Sequence, residues 1–100
     1  MPVSVEIQDE RGNREGAAWW HARSSAILVD DHPGTCCLRF IDPYGDTTFN
    51  QSQLLVLVHE LQDLRNRAGT STDVEALDDL LRFLQSAVGR VHTYVKFVGD

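Results

Sequence analysis

A chain of 100 residues is expected to form one domain, and 42% hydrophobic with 24% charged residues is typical of a globular protein. The longest apolar run, residues 54–58, is too short to span a bilayer, and the N-terminal residues lack the basic and apolar segments of a secretory signal. The formal net charge of −6 disfavours binding to nucleic acid, because phosphates repel it, and suits a basic protein partner.

Alternating apolar and polar residues predict strands in the first third of the chain. The clearest alternation covers residues 3–8 and is typical of a half-buried strand. A turn is predicted over residues 9–13, which contain glycine and asparagine. Residues 17–29 also fit a helix, with Trp20, Ile27 and Leu28 on one face, but strands over residues 14–22 and 26–29 are favoured. Residues 30–35 are interpreted as a loop that proline and glycine interrupt.

The middle of the chain predicts a β-hairpin. Residues 36–41 form the most β-rich run, and residues 47–49 are interpreted as the returning strand. Between them, Pro43 suits the first central position of a turn, and Gly45 is expected to supply its left-handed residue.

The second half predicts two helices and a last strand. Leucine and valine recur at three- and four-residue spacing, which predicts helices over about 52–68 and 73–88. The linker between them is short, so the helices are expected to be antiparallel neighbours. Alternation returns over residues 91–98 and predicts a strand there.

These elements together predict a two-layer α+β domain. The sheet is expected to be mainly antiparallel, with four to five strands, and the helix pair is expected to cover one of its faces. The other face then meets water. The helix-facing positions are predicted to be Val3, Val5, Ile7, Cys36, Leu38, Phe40, Val91, Thr93, Val95 and Phe97.

The cysteine pattern indicates a reducing compartment. Cys36 and Cys37 are adjacent, and successive strand residues point to opposite faces, so a bond between them would be strained. Both are expected to be reduced thiols in a cytoplasmic protein.

The open face of the predicted sheet is the first candidate for function. It offers a guanidinium, an imidazole, a phenol and an ammonium group on a rigid surface, and tryptophan is enriched at interfaces. An ordinary solvated face explains the same pattern equally well. The predicted partner-binding residues are Arg39, His92, Tyr94, Lys96, Trp19 and Trp20.

Three functional hypotheses follow. The first is a non-enzymatic interaction domain, for example an inhibitor or immunity protein that masks a basic target. The second is a small enzyme or ligand-binding protein that uses the Asp42 and Asp46 turn with His92 or Cys37. The third is a homo-oligomer whose sheet edges pair. No catalytic motif or cofactor is predicted. No metal site is predicted either, since His59 and Glu60 lack the second histidine of a zinc-protease motif.

Two segments resemble a group of small uncharacterised bacterial proteins. They are Leu-Arg-Phe-Ile-Asp-Pro-Tyr-Gly-Asp-Thr-Thr-Phe-Asn at residues 38–50, with the leucine-rich helix that follows, and His-Thr-Tyr-Val-Lys-Phe-Val-Gly-Asp at residues 92–100. The resemblance covers the C-terminal two-thirds of the chain. It implies a bacterial, stand-alone cytoplasmic protein, and it carries no catalytic residue across.

Overall fold

The structure, a computed structural model, describes residues 3–99 of the chain. Within that range it contains a sheet of three strands, three α-helices and one short 3₁₀ turn, so the predicted α+β class is confirmed. In chain order these are β1 (Val3–Asp9), α1 (Ala22–Val29), the 3₁₀ turn (Leu38–Phe40), β2 (Asp46–Phe49), α2 (Gln51–Asn66), α3 (Ser71–Gln85) and β3 (Thr93–Gly99).

The last strand is the centre of the sheet. β3 pairs with β1 on one side and β2 on the other, both antiparallel, in the order β1–β3–β2. Val5 lies opposite Phe97, and Phe97 meets Phe49 edge to face at 5.7 Å between ring centroids. These side chains are buried under the helices. The predicted phase of β1 and β3 is therefore confirmed from residue 93 onward in β3, whereas Val91 is exposed.

The two long helices form where the leucine stripes predict them. Leu57 and Leu61 of α2 and Leu80 and Leu84 of α3 are fully buried, so each helix packs its apolar stripe into the core. A capping box between Asn50 and Gln53 begins α2, and the Thr70 side chain caps α3. Among residues 3–99, no helix has the length and apolar character needed to cross a membrane.

The prediction of a strand over residues 36–41, and with it the hairpin, is wrong. Both edges of β3 are paired with β1 and β2, and residues 38–40 form a 3₁₀ turn that pairs with neither of these strands. The buried residues of the segment are Cys37, Leu38 and Ile41, while Cys36 and Phe40 are exposed. That spacing belongs to a tight helical turn rather than to a strand. The sheet therefore has three strands, not four or five.

Residues 26–29 belong to α1 and not to a strand. Ser24, Ile27 and Leu28 are buried at helical spacing, and the Ser24 hydroxyl donates to the Ala76 carbonyl, which satisfies a polar group in the core. Burial of this face thus outweighs the β-branched character of the sequence. Residues 14–22 contribute only two isolated bridges to β1, from Arg14 and Trp19, instead of a strand.

The turn before β2 closes against the end of β3. Gly45 does not adopt the predicted left-handed conformation. Gly99 is the position that has no room for a side chain. An added Cβ there would lie 2.4 Å from the Asp42 carbonyl oxygen and 2.6 Å from the Pro43 carbonyl carbon. Because these are backbone atoms, they cannot move aside by rotating a side chain.

We expect Gly99→Ala to destabilise the fold by about 1–3 kcal/mol, since the new methyl group overlaps the backbone of the turn. Gly69→Ala is the matched control, because a Cβ added there would meet no atom within 4 Å and its φ is not positive. It should change the free energy of unfolding by less than about 0.5 kcal/mol. Chemical denaturation of both variants measures the difference, and equal midpoints would contradict the close approach.

Candidate functional site

The most exposed aromatic side chains lie on one loop. We call residues 38–45 the aromatic loop, because Phe40 and Tyr44 are 59% and 72% exposed there. Leu38 and Ile41, in the same segment, are buried in the core and anchor it. Exposed aromatic rings on an anchored loop are typical of protein-binding surfaces. The other exposed large apolar side chains among the described residues are Trp20, Leu55, Val56 and Val91.

A carboxylate from α2 holds the start of this loop. Glu60 Oε1 accepts hydrogen bonds from the backbone N–H groups of Cys37 and Leu38 at 3.0 Å each, and Oε2 accepts one from Cys36. Three converging amides form the kind of concave site that binds anions, and here the anion is a side chain of the same molecule. Partial burial acts to raise the pKa of Glu60, but the three hydrogen bonds outweigh it and the pKa is lowered.

Side-chain hydrogen bonds fix the rest of the aromatic loop. The Thr47 hydroxyl donates to the Phe40 carbonyl at 3.1 Å and accepts from the Asp42 amide at 3.3 Å. Asp42 Oδ1 in turn accepts from the Tyr44 amide at 2.8 Å. The backbone next to each exposed ring is therefore held by hydrogen bonds.

Arg39 belongs to the aromatic loop and not to the open sheet face, which corrects its predicted location. Its guanidinium carbon lies 4.8 Å from the centre of the Phe40 ring, within cation–π range. Its backbone N–H donates to the Thr35 hydroxyl at 3.0 Å. Arg39 therefore adds a cation to the aromatic surface.

Tyr94 and Lys96 do lie on the open face of the sheet. Lys96 is opposite Glu6 of β1 and Thr48 of β2, and its Nζ is 3.2 Å from Asp46 Oδ2. The Lys96 side chain is 28% exposed. The charges at the centre of this face are thus neutralised within it, which leaves less for a partner to recognise.

The remaining predicted partner-binding residues are scattered. His92 precedes β3 in a left-handed conformation, exposed, with Nδ1 4.0 Å from a Glu10 carboxylate oxygen. Trp19 is partly buried and stacks on Phe83 at 6.0 Å between ring centroids, whereas Trp20 is exposed. The six residues therefore divide among the aromatic loop, the open sheet face and the segments beyond it.

The residues of the enzymatic hypothesis do not converge. Asp46 pairs in register with Val98, while His92 precedes the other end of β3, so a strand length of roughly 20 Å separates their backbones. Cys37 is 7% exposed, and burial, the nearby Glu60 carboxylate and Cys36 raise the pKa of its thiol. Across residues 3–99, no three His, Cys, Asp or Glu side chains are grouped closely enough to hold a metal ion.

Two grooves of the described surface contain internal ion pairs. A groove of about 410 Å³ lies between α2 and α3, where Arg65 Nε bonds Asp78 Oδ1 at 3.0 Å. A second, of about 240 Å³, contains Arg23 and Asp73, which bind each other through two hydrogen bonds. Neither presents an unpaired catalytic set.

Comparisons with known proteins find no match. No family model, no curated protein and no solved structure matches this chain. Functional inference therefore depends on the residues described above.

The sequence gives no clear signal for the roles of Phe40 and Glu60. The predicted strand over residues 36–41 places Phe40 toward the helices, whereas in the structure Phe40 is exposed. The role of Glu60 depends on contacts with residues 22 to 24 positions away, and such contacts leave no local pattern. The spacing of Cys37, Leu38 and Ile41 is the one pattern that indicates a helical turn.

We expect Glu60→Ala to cost about 1.5–3 kcal/mol of stability, because it removes a charged acceptor from three amides. Glu75→Ala, at an exposed position of α3, is the control and should cost less than about 0.5 kcal/mol. Urea denaturation measures both values. Equal losses for the two variants would show that the Glu60 contacts contribute nothing.

The contribution of Glu60 should also depend on pH. Its pKa is lower in the folded protein, so the carboxylate contribution is fully present above the unfolded glutamate value of about 4.3. It is lost as the pH falls through the folded pKa. The stability difference between wild type and Glu60→Gln should therefore be largest near neutrality and shrink in acid, and a difference that grows in acid would contradict this sign.

The two thiols should react at very different rates. Cys36 is exposed and Cys37 is buried, so a thiol reagent should modify Cys36 rapidly in the folded protein and Cys37 only after unfolding. The Cys36→Ser variant is the control and should lose the rapid phase. A rapid phase that persists in this variant would show that Cys37 is accessible.

Proposed function

We propose that this protein is a non-enzymatic interaction domain that binds another protein through the aromatic loop. The observation that supports the proposal most directly is the exposure of Phe40 and Tyr44 on a backbone that Glu60 and Thr47 hold in place. An aromatic ring buries a large apolar area on binding, and a fixed loop loses little conformational entropy. Both effects favour affinity.

The aromatic loop is a better candidate than the centre of the open sheet face. Lys96 is already paired with Asp46 in that face, so a partner could form an ion pair with Lys96 only by breaking this contact. On the loop, Arg39 lies over the exposed Phe40 ring, where both side chains can contact an incoming chain. Arginine and aromatic residues are enriched among the residues that dominate binding energy.

We further propose that the partner is basic and that the protein acts in the cytoplasm. The net charge of −6 favours approach of a positively charged protein, and the two free thiols suit a reducing compartment. An inhibitor or immunity protein that masks a basic target is a concrete form of this function. The enzymatic alternative has less support, because Asp46 and His92 lie near opposite ends of β3.

Affinity capture with matched variants tests the proposal. The tagged protein is cross-linked in an extract of the source cells, and recovered proteins are quantified by mass spectrometry. The double variant Phe40→Ser with Tyr44→Ser should lose the specific partner by roughly tenfold or more, because two exposed aromatic contacts disappear. Val91→Ser, at an apolar residue that is 79% exposed, is the control and should retain the partner.

Thermal unfolding of both variants provides the check on folding, since all three substituted side chains are exposed. The proposal fails if wild type enriches no protein over the double variant, that is, if both recover the same proteins in equal amounts.

A further inference from the structure

We propose that the partner adds an extended, basic segment to the outer edge of β2, as an extra strand of the sheet. This inference rests on the proposed function and specifies how the aromatic loop and its partner meet. Addition of a strand to an exposed sheet edge is a common mode of peptide recognition, in which main-chain hydrogen bonds supply affinity.

The edge formed by β1 is already occupied by the chain itself. The Val5 amide donates to the Trp19 carbonyl at 2.8 Å, and the Trp19 amide returns a bond to Val5 at 2.7 Å. Ile7 accepts from the Glu15 amide at 2.7 Å. Residues 13–19 therefore occupy most of the outward groups of β1, and this edge is closed to another strand.

The edge formed by β2 is open. The Gly99 amide donates to the Gly45 carbonyl at 2.7 Å, so residues 45 and 99 are a hydrogen-bonded pair. In an antiparallel ladder such pairs alternate, and the register then directs the N–H and C=O groups of Asp46 and Thr48 away from β3. Among residues 3–99, no backbone hydrogen bond from another segment reaches these groups.

The aromatic loop flanks this open edge. Thr47 faces the helix side of β2, and its hydroxyl bonds the Phe40 carbonyl and the Asp42 amide. The backbone of residues 40–42 therefore runs beneath β2, and Tyr44 precedes the strand by two residues. A chain that paired with Asp46 and Thr48 would therefore run close to the backbone of the aromatic loop.

Charge selects a basic occupant over a second copy of this protein. The exposed Asp42 lies two residues before Tyr44, whereas Asp46 is already paired with Lys96, and the whole chain carries a net charge of −6. Two such chains repel each other, whereas lysine or arginine on an incoming strand is attracted to Asp42 and to the net negative charge. The occupant is therefore a basic extended segment of a different protein.

The test titrates a short acetylated and amidated peptide of alternating lysine and valine into the isotopically labelled protein. The expected result is a shift of the Asp46 and Thr48 amide signals, together with slower hydrogen exchange at both amides. A peptide of alternating glutamate and valine should bind at least several-fold more weakly. The affinity of the lysine peptide should fall with added salt.

Two controls isolate the main-chain contacts. A lysine peptide N-methylated at alternate residues keeps its side chains but loses donors, and it should not bind. In the protein, Thr48→Pro removes the outward N–H while the pairs on either side keep their bonds to β3, and proline is tolerated at such edge positions. It should abolish binding, whereas Thr48→Ala should not. If Thr48→Pro unfolds, the N-methylated peptide decides alone.

The outcomes separate this inference from the proposed function. Strand addition is overturned if the N-methylated peptide binds equally well, if the signals that shift lie elsewhere, or if the lysine peptide does not bind. The capture experiment with Phe40 and Tyr44 still decides the proposed function in each case. Equal binding of the glutamate peptide would overturn a basic occupant. Concentration-dependent shifts at Asp46 and Thr48 without peptide would assign the edge to a second copy.

Discussion

The Glu60 carboxylate joins α2 to residues 36–38 by accepting three backbone hydrogen bonds. These amides lie where the chain turns into the core at Cys37 and Leu38, so without an acceptor they would lose water and gain no replacement. Because α2 is itself fixed by its buried leucines, the contact transfers the rigidity of the core to the aromatic loop. The backbone that leads to Phe40 is therefore held at its start.

The sequence predicts α2, α3 and the terminal strands well because their patterns repeat over two or more turns or pairs. Leu57 and Leu61, for example, identify the buried face of α2 without reference to the rest of the fold. Residues 36–41 are too few to separate a strand from a helical turn by composition. Their structure is set by distant contacts, namely the burial of Leu38 and Ile41 in the core and the hydrogen bonds to Glu60 of α2.

The candidate site, too, is predicted correctly where the pattern is local and incorrectly where distant contacts decide the structure. Alternation along β3 is local, so it correctly predicts Tyr94 and Lys96 on the open face. The incorrect strand over residues 36–41 misplaces both Arg39, which it assigns to that face, and Phe40, which it assigns to the core. Glu60 holds the backbone just before them, and because its contacts join segments far apart in sequence, they cannot be deduced from either segment alone.

The two edges of the sheet differ in whether another part of the chain covers them, and this difference decides which edge can bind an added strand. An unpaired edge is a template for self-association, and proteins usually cover it, shorten it or charge it. Here residues 14–19 cover β1, whereas β2 is four residues long and belongs to a chain with a net charge of −6. That charge repels another copy but attracts a basic chain. The same feature that keeps the free edge from pairing with itself therefore selects the kind of strand that can join it.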